Sequence, residues 1–226
     1  MRKIFKLSVI ILVLVTVLVG CSDNTVDIKD KTNAELTYIE DEIFTIVNKY
    51  AKDEYLKDGV VEWVNIQNDV KKIDGAIGTI LLDLSELNIS DEDILMFTRE
   101  LSNLIIITSN QNERMMVDKL NYLYSLVPKY MASYEDNKNK VSKKELKSII
   151  LSSYNLSNVG NWEEAKTIIQ YAEDKYKIMM NDIEYMKENS YNLNKIYILI
   201  EELKNAINTE NINLVKLKYI KLIEEL

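Results

Sequence analysis

The sequence predicts an all-α protein, and three observations lead to that prediction. Apolar residues recur at steps of three and four along almost the whole chain after residue 34, as they do on one face of a helix. Only five glycines and one proline occur in 226 residues. The composition, 47% apolar and 28% charged, is typical of long amphipathic helices. We therefore expect an elongated bundle of about eight helices arranged as four αα-hairpins, with no convincing strand.

The N-terminus has the pattern of an export signal. Arg2, Lys3 and Lys6 precede the apolar run from Leu7 to Val19, which is shorter than the roughly 20 residues that a membrane-spanning helix needs. The run ends in Leu18-Val19-Gly20-Cys21. This motif resembles the lipobox of bacterial prolipoproteins. The resemblance implies cleavage before Cys21 and a lipid anchor on its sulfur, whereas an ordinary signal peptide with an incidental cysteine is the alternative.

These features define the expected regions of the chain. Residues 1–20 form the signal peptide, residues 21–33 form the lipidated cysteine and a flexible tether, and residues 34–226 form the helical domain. A sub-boundary is possible near residues 136–144, which are the most polar internal stretch. Acyl chains of the palmitate type would hold the mature protein in the cell membrane, facing outward on the extracellular or periplasmic side.

Each helix is predicted from its apolar face and from its capping signals. Ser90 precedes an acidic triplet and is expected to cap the third helix, while Ser142 and Glu145 form a capping box that opens the fifth. Pro128 is expected to kink or divide the fourth helix. The sixth helix is expected to be the longest and central, with a seam from Ile168 to Met186. The predicted helices cover residues 34–57, 60–87, 91–109, 113–135, 142–156, 162–189, 192–207 and 209–226.

The turns between these helices fall near residues 59, 110, 160 and 209, a spacing close to fifty residues. This spacing is the basis for the four αα-hairpins. The segment from Gly160 to Ala165, together with Ala172, is similar to the turn and second helix of a tetratricopeptide repeat. That resemblance implies an α-solenoid as the alternative architecture. Ser153 and Leu156 depart from the family's pattern, and no second copy follows at its usual step.

Composition argues against several functions. Loss of the three cationic residues of the signal lowers the net charge from −8 to −11, so a nucleic-acid partner is not expected. The chain has no histidine and Cys21 is its only cysteine, which removes the usual metal ligands, the usual general base and any internal disulfide. No phosphate loop or nucleophile motif occurs. We expect no enzyme activity, no cofactor and no metal.

Tyrosine is the one residue type whose abundance could reflect function, with fourteen in the chain. Tyr122, Tyr130 and Tyr134 lie close together in the fourth helix, and Trp162 begins the sixth. These four residues are the candidates for a ligand or partner surface, although tyrosine is also common at the boundary of a core. The expected function is a non-catalytic binding or scaffolding module for an envelope protein or wall component. A small-ligand-binding lipoprotein with a Tyr-lined pocket is the alternative.

Overall fold

A computed structural model describes residues 28–182, 185–187 and 192–226. In this part of the chain the protein is a bundle of eight helices of twelve or more residues, as the periodicity predicted. The signal peptide, Cys21 and Ile183 lie outside the described residues. The elements are α1 (28–51), β1 (Leu56–Lys57), β2 (Val60–Val61), α2 (Trp63–Glu86), α3 (Asp91–Ser109), α4 (Glu113–Met131), α5 (Lys138–Asn158), α6 (Trp162–Met180), α7 (Leu193–Asn208) and α8 (Ile212–Ile223).

Helix α1 is the central element of the bundle. Helices α2 to α8 each pack against the next helix in the chain, whereas α1 contacts four helices that are far apart in sequence. Its buried residues lie on several faces, and none from residue 42 to residue 51 is exposed. Five apolar side chains of α1 have no accessible surface at all: Leu36, Ile39, Ile43, Ile46 and Val47.

Polar contacts show which helices surround α1. Lys49 pairs with Asp69 of α2, their Nζ and Oδ2 atoms 2.9 Å apart. Tyr219 of α8 donates a hydrogen bond of 3.0 Å to Asn48, the residue before Lys49. The side chain of Glu40 accepts from α4 and α5. Helices α2, α4, α5 and α8 therefore all contact α1. Of these four helices only α4 and α5 are consecutive in the chain.

Three hairpin turns share one construction. The α3–α4, α5–α6 and α7–α8 turns each contain three residues, 110–112, 159–161 and 209–211. The middle residue is left-handed in each, with φ of 56° at Gln111, 77° at Gly160 and 54° at Glu210. An asparagine precedes the next helix each time, and at positions 112 and 211 its side chain accepts a hydrogen bond from the new helix. The expected hairpins and their spacing near fifty residues are confirmed here.

The connection between α1 and α2 differs from the expectation because it contains a β-hairpin. Helix α1 ends at residue 51 rather than 57, and β1 pairs with β2 in antiparallel register. Asp58 and Gly59 form the turn with φ of 53° and 80°. An Asp-Gly pair in this conformation favours a tight two-residue hairpin. This two-residue signal is present in the sequence, but helical periodicity does not reveal it.

Several helix boundaries also differ from those expected. The chain is already helical at residue 28, where Ile28 packs against the core and Thr32 is buried, so the tether expected to reach residue 33 is partly helical. Asn137 accepts from the amide of Lys140 and starts α5 one turn before the capping box. Helix α4 continues undivided past Pro128 to Met131, while Ser90 caps α3 as expected.

The sixth helix is neither the longest nor the centre, contrary to the expectation. It ends at Met180 and is shorter than α2, which has 24 residues. Ala172, Tyr176 and Met179 of the seam are buried, whereas Ile168 is half-buried and Met186 is exposed. The seam therefore covers one face of an ordinary amphipathic helix.

Buried residues before and after residues 136–144 belong to the same core cluster.

Gly75 and Gly78 of α2 both face solvent. A β-carbon added at either position would meet no atom within 4 Å. Both glycines lie inside α2 without a positive φ. They are therefore ordinary interior positions of a helix, where glycine is about 0.5–1 kcal/mol less favourable than alanine.

We predict that Gly75→Ala and Gly78→Ala each raise the free energy of unfolding by about 0.5–1 kcal/mol, because alanine restricts the unfolded chain and meets no neighbour in the fold. Urea unfolding monitored by circular dichroism measures the change. Gly59→Ala is the control, and it should destabilise because its left-handed backbone is unfavourable for a side chain. Destabilisation by all three substitutions would mean that another part of the protein covers the exposed face of α2.

Candidate functional site

The tyrosines that were candidates for a surface do not form one. Tyr130 is buried, and its hydroxyl donates a 2.7 Å hydrogen bond to the carbonyl oxygen of Asp93. Tyr134 is also buried and bonds to Asn33 of α1 at 3.1 Å. Burial raises the pKa of both phenols. Tyr130 holds α4 against α3, and Tyr134 holds the segment just after α4 against α1, so the core-boundary interpretation of tyrosine applies to both.

The other two candidate residues lie in different environments. Tyr122 is 40% exposed and its hydroxyl lies 3.0 Å from the sulfur of Met96. Trp162 is half-buried and packs against the core at the first position of α6. Of the four candidate residues only Tyr122 is accessible enough to contact a partner. The structure therefore does not bring the four together as one ligand-binding surface.

Most remaining tyrosines with low exposure also connect helices. Tyr154 of α5 stacks on Tyr219 of α8 with ring centroids 4.2 Å apart. Tyr124 is fully buried between α4 and α1, where its hydroxyl donates to Glu40 at 2.6 Å. Stacked and hydrogen-bonded rings of this kind fix how the helices pack. The abundance of tyrosine is thus explained mainly by the polar contacts that large core side chains make at their tips.

Three buried carboxylates are held by cations rather than poised for chemistry. Glu40 pairs with Lys144 of α5, and Glu173 of α6 pairs with Lys177 and Lys204. Asp69 accepts from Lys49, Lys72 and Tyr55. Each carboxylate joins its helix to a neighbour, which is the contact that makes a buried charge tolerable. In the described part of the chain, no three acidic side chains lie close enough to hold a metal ion.

The two carboxylates on α2 and α6 have strongly shifted pKa values. Burial alone raises the pKa of Asp69, but hydrogen bonds from Lys72, Lys49 and Tyr55 outweigh it and bring the value to about 2. Burial likewise raises the pKa of Glu173, but hydrogen bonds from Lys177 and Lys204 outweigh this effect and bring the pKa to about 2. Both groups are therefore ionised at neutral pH, so neither is suited to act as a general acid there.

A narrow cleft lies where the C-terminal end of α1 meets the β-hairpin, α4, α5 and α8. Its volume is about 190 Å³, below the roughly 300–1,000 Å³ of a typical small-molecule pocket. Its polar groups largely satisfy one another: Tyr50 donates to Glu113 at 3.1 Å and Lys216 pairs with Asp53 at 2.6 Å. Burial, together with Glu113, raises the pKa of Tyr50 to about 12. This cleft offers little room for the ligand that the alternative function requires.

Exposed apolar side chains gather around the β-hairpin and the α3–α4 turn. Gln67 of α2 donates to the carbonyl of Thr108 at 3.2 Å, which ties the start of α2 to the end of α3. Two neighbouring depressions lie in the protein surface here. The one beside the β-hairpin includes Gln111, and the other includes Asn110 and Asn112. We call the exposed apolar residues here the apolar end: Leu56, Val60, Val64, Ile106 and Met115, each more than 40% exposed.

Sequence reasoning missed the apolar end, although two signals pointed to it. Ile105, Ile106 and Ile107 are consecutive, so they cannot all face the same side of a helix, and Ile106 is the one left exposed. Met115 and Met116 are also consecutive, and only Met116 is buried. Asparagine and glutamine side chains border the apolar residues. An apolar centre with a polar rim is the usual anatomy of a protein–protein interface.

No protein-family model, curated protein sequence or solved structure matches this chain. Among the residues that the structure describes, no helix combines the length and the apolar character needed to span a membrane.

The pKa shifts of Asp69 and Glu173 predict a specific acid sensitivity. A carboxylate with a lowered pKa stabilises the fold above its unfolded value, and this contribution is lost as pH falls from about 4 through about 2. Each group should contribute on the order of 2 kcal/mol. Urea unfolding across this range should show a steep loss for the native chain and a shallower loss for Asp69→Asn or Glu173→Gln.

Asp74→Asn is the matched control for this prediction. Asp74 is exposed on the same helix as Asp69 and forms no ion pair with a described residue, so its substitution should leave the acid dependence unchanged. If all three variants lost stability in parallel with the native chain, the two buried ion-pair networks would not be the source of the acid sensitivity.

Proposed function

We propose that this protein is an outward-facing, membrane-anchored lipoprotein whose helical domain is a non-catalytic scaffold that binds another envelope protein through its apolar end. The lipobox-like motif at Leu18 to Cys21 supports the anchor. The apolar end carries the binding proposal, because exposed apolar residues that meet around one polar-rimmed turn are the kind of surface that partners cover.

The interior favours a scaffold over a ligand-binding protein. The cleft beside Tyr50 is too small for most ligands, and the larger depressions around the apolar end are open to solvent. Two of the three tyrosines expected to line a pocket, Tyr130 and Tyr134, are packed into the core. A protein partner suits these observations better than a small molecule or a wall polysaccharide, since sugar recognition would call for accessible aromatic faces beside polar groups.

The position of the apolar end also suits a protein held by its N-terminus. Helix α1 spans residues 28–51, about 35 Å at 1.5 Å per residue. The anchor at Cys21 precedes one end of α1, whereas the β-hairpin follows the other. The anchored end and the apolar end are thus separated by the length of the bundle, which would present the apolar end away from the anchor.

Two paired substitutions test the binding surface. Val64→Ser with Ile106→Ser removes two exposed apolar side chains from the apolar end. Leu82→Ser with Leu217→Ser removes two of similar exposure elsewhere. Both variants should unfold like the native chain within about 0.5 kcal/mol per substitution, because exposed apolar residues contribute little to folding.

Binding should distinguish the two pairs. A partner captured from envelope extract by the native chain should still be captured by the Leu82/Leu217 variant and lost with the Val64/Ile106 variant, whose interface would lose about 1 kcal/mol or more per central residue. Quantitative mass spectrometry of the captured proteins gives the readout. Equal capture by both variants would rule out the apolar end as the binding surface.

A further inference from the structure

A group of lysines lies at the end of the bundle where α1 begins. Residues 138–147, the first ten of α5, contain five lysines and a single glutamate, in a chain whose net charge is −8. Lys144 forms a buried ion pair with Glu40. Lys138 is exposed and forms no ion pair with a described residue, and Lys143 lies over the ring of Tyr185 at 5.3 Å. We call Lys29, Lys138, Lys140 and Lys143 the basic face.

Contacts between α1 and the α4–α5 connection place the basic face beside the start of α1. Asn33 bonds to Glu135 at 3.2 Å and accepts from Tyr134 at 3.1 Å, and Lys29 lies 3.6 Å from Asp136. Residues 21–27 can span at most about 25 Å when fully extended. A lipid attached at Cys21 would therefore keep the basic face within that distance of the membrane.

The basic face differs in charge from most of the mature chain. The mature chain carries a net charge of −11 after the three cationic signal residues are removed from −8, so most of its surface is repelled by an anionic bilayer. Glu135 and Asp136 offset part of the positive charge through their pairs with Lys140 and Lys29. Lys138 and Lys143 extend beyond these pairs along α5. The four lysines of the basic face outnumber the two carboxylates that pair with them, which leaves an excess of positive charge for an anionic surface.

Resting on the lipoprotein function proposed above, we propose that the basic face lies against the anionic phospholipid headgroups of the membrane that holds the anchor. Lysines near such a surface attract it, each by about fivefold in affinity. A single acyl chain gives only marginal binding, and a basic surface is a common second contribution. The short tether keeps the two surfaces at high effective concentration. The bundle would then stand on its anchored end and hold the apolar end outward.

The test uses the lipidated mature chain with a single fluorophore. Because the thiol of Cys21 is acylated, an introduced cysteine is the only one that labels, either Ser133→Cys beside the basic face or Glu54→Cys near the hairpin. Energy transfer to an acceptor on lipid headgroups reports the distance from the bilayer. Vesicles consist of phosphatidylcholine alone or of phosphatidylcholine mixed with anionic phosphatidylglycerol.

On anionic vesicles the label at position 133 should transfer more energy than the label at position 54. The difference should shrink markedly in high salt, on neutral vesicles, and in Lys138→Gln with Lys143→Gln, where only the tether still favours position 133. It should persist in Lys57→Gln with Lys71→Gln, which removes two exposed lysines elsewhere on the molecule. A difference that is independent of anionic lipid, or equal effects of the two lysine pairs, would overturn the proposal.

Flotation of the protein with lipid vesicles tests the membrane contact of the basic face separately from the lipid anchor. The lipidated chain should float with neutral vesicles, and Cys21→Ala should not; failure there contradicts the anchor alone. The unlipidated chain should still bind anionic vesicles, with the Lys138/Lys143 variant about 20–30-fold weaker and the Lys57/Lys71 variant nearly unchanged. If it bound soluble polyphosphate in this lysine-dependent way but not vesicles, the basic face would be a polyanion site instead of a membrane contact.

Discussion

The burial of α1 is the constraint on which the rest of the structure depends. A helix with apolar residues on one stripe can be covered by one or two neighbours, but α1 is covered on several faces and needs more. Helices α2, α4, α5 and α8 supply this cover, although they come from distant parts of the chain. The order in which the later helices pack is therefore organised around the first one.

Polar contacts give this arrangement its specificity. Glu40 is almost fully buried, and it can be accommodated only where Tyr124 and Lys144 reach it together. Asn48 and Lys49, one turn before the end of α1, meet α8 and α2 in the same way. Apolar packing would permit α1 to rotate or slide between its neighbours, whereas these bonds match only one arrangement. The tyrosines serve largely the same purpose across the bundle.

Much of the secondary structure could be predicted from the sequence, because periodicity and turn chemistry are local. The three short turns between α3 and α8 and the cap at Ser90 lay where the residues indicated. Which helix lies at the centre of the bundle could not be predicted. The regular seam of α6 suggested a central helix, but periodicity reveals how clear one apolar stripe is, not how many sides of a helix are covered.

The candidate site was harder to predict because it depends on which residues remain exposed. Tyr130 and Tyr134 were expected to share one helix face, but only the positions of α1 and α3 decide that both side chains are internal. The apolar end combines residues from the hairpin, α2, α3 and α4 that no local pattern connects. Its separation from the start of α1 follows directly from the length of that helix, so the same buried helix that organises the core also sets how far the apolar end lies from residue 28.

The central position of α1 is tested most directly by a matched pair of isoleucine truncations. Ile43 of α1 has no accessible surface and Ile178 of α6 is 73% exposed, while both substitutions to alanine remove the same atoms from a helix. Relative to the native chain, Ile43→Ala should lower the free energy of unfolding in urea by about 2–5 kcal/mol, and Ile178→Ala should lower it by less than about 0.5 kcal/mol. Similar small losses for both variants would contradict a buried α1 and the arrangement of the bundle around it.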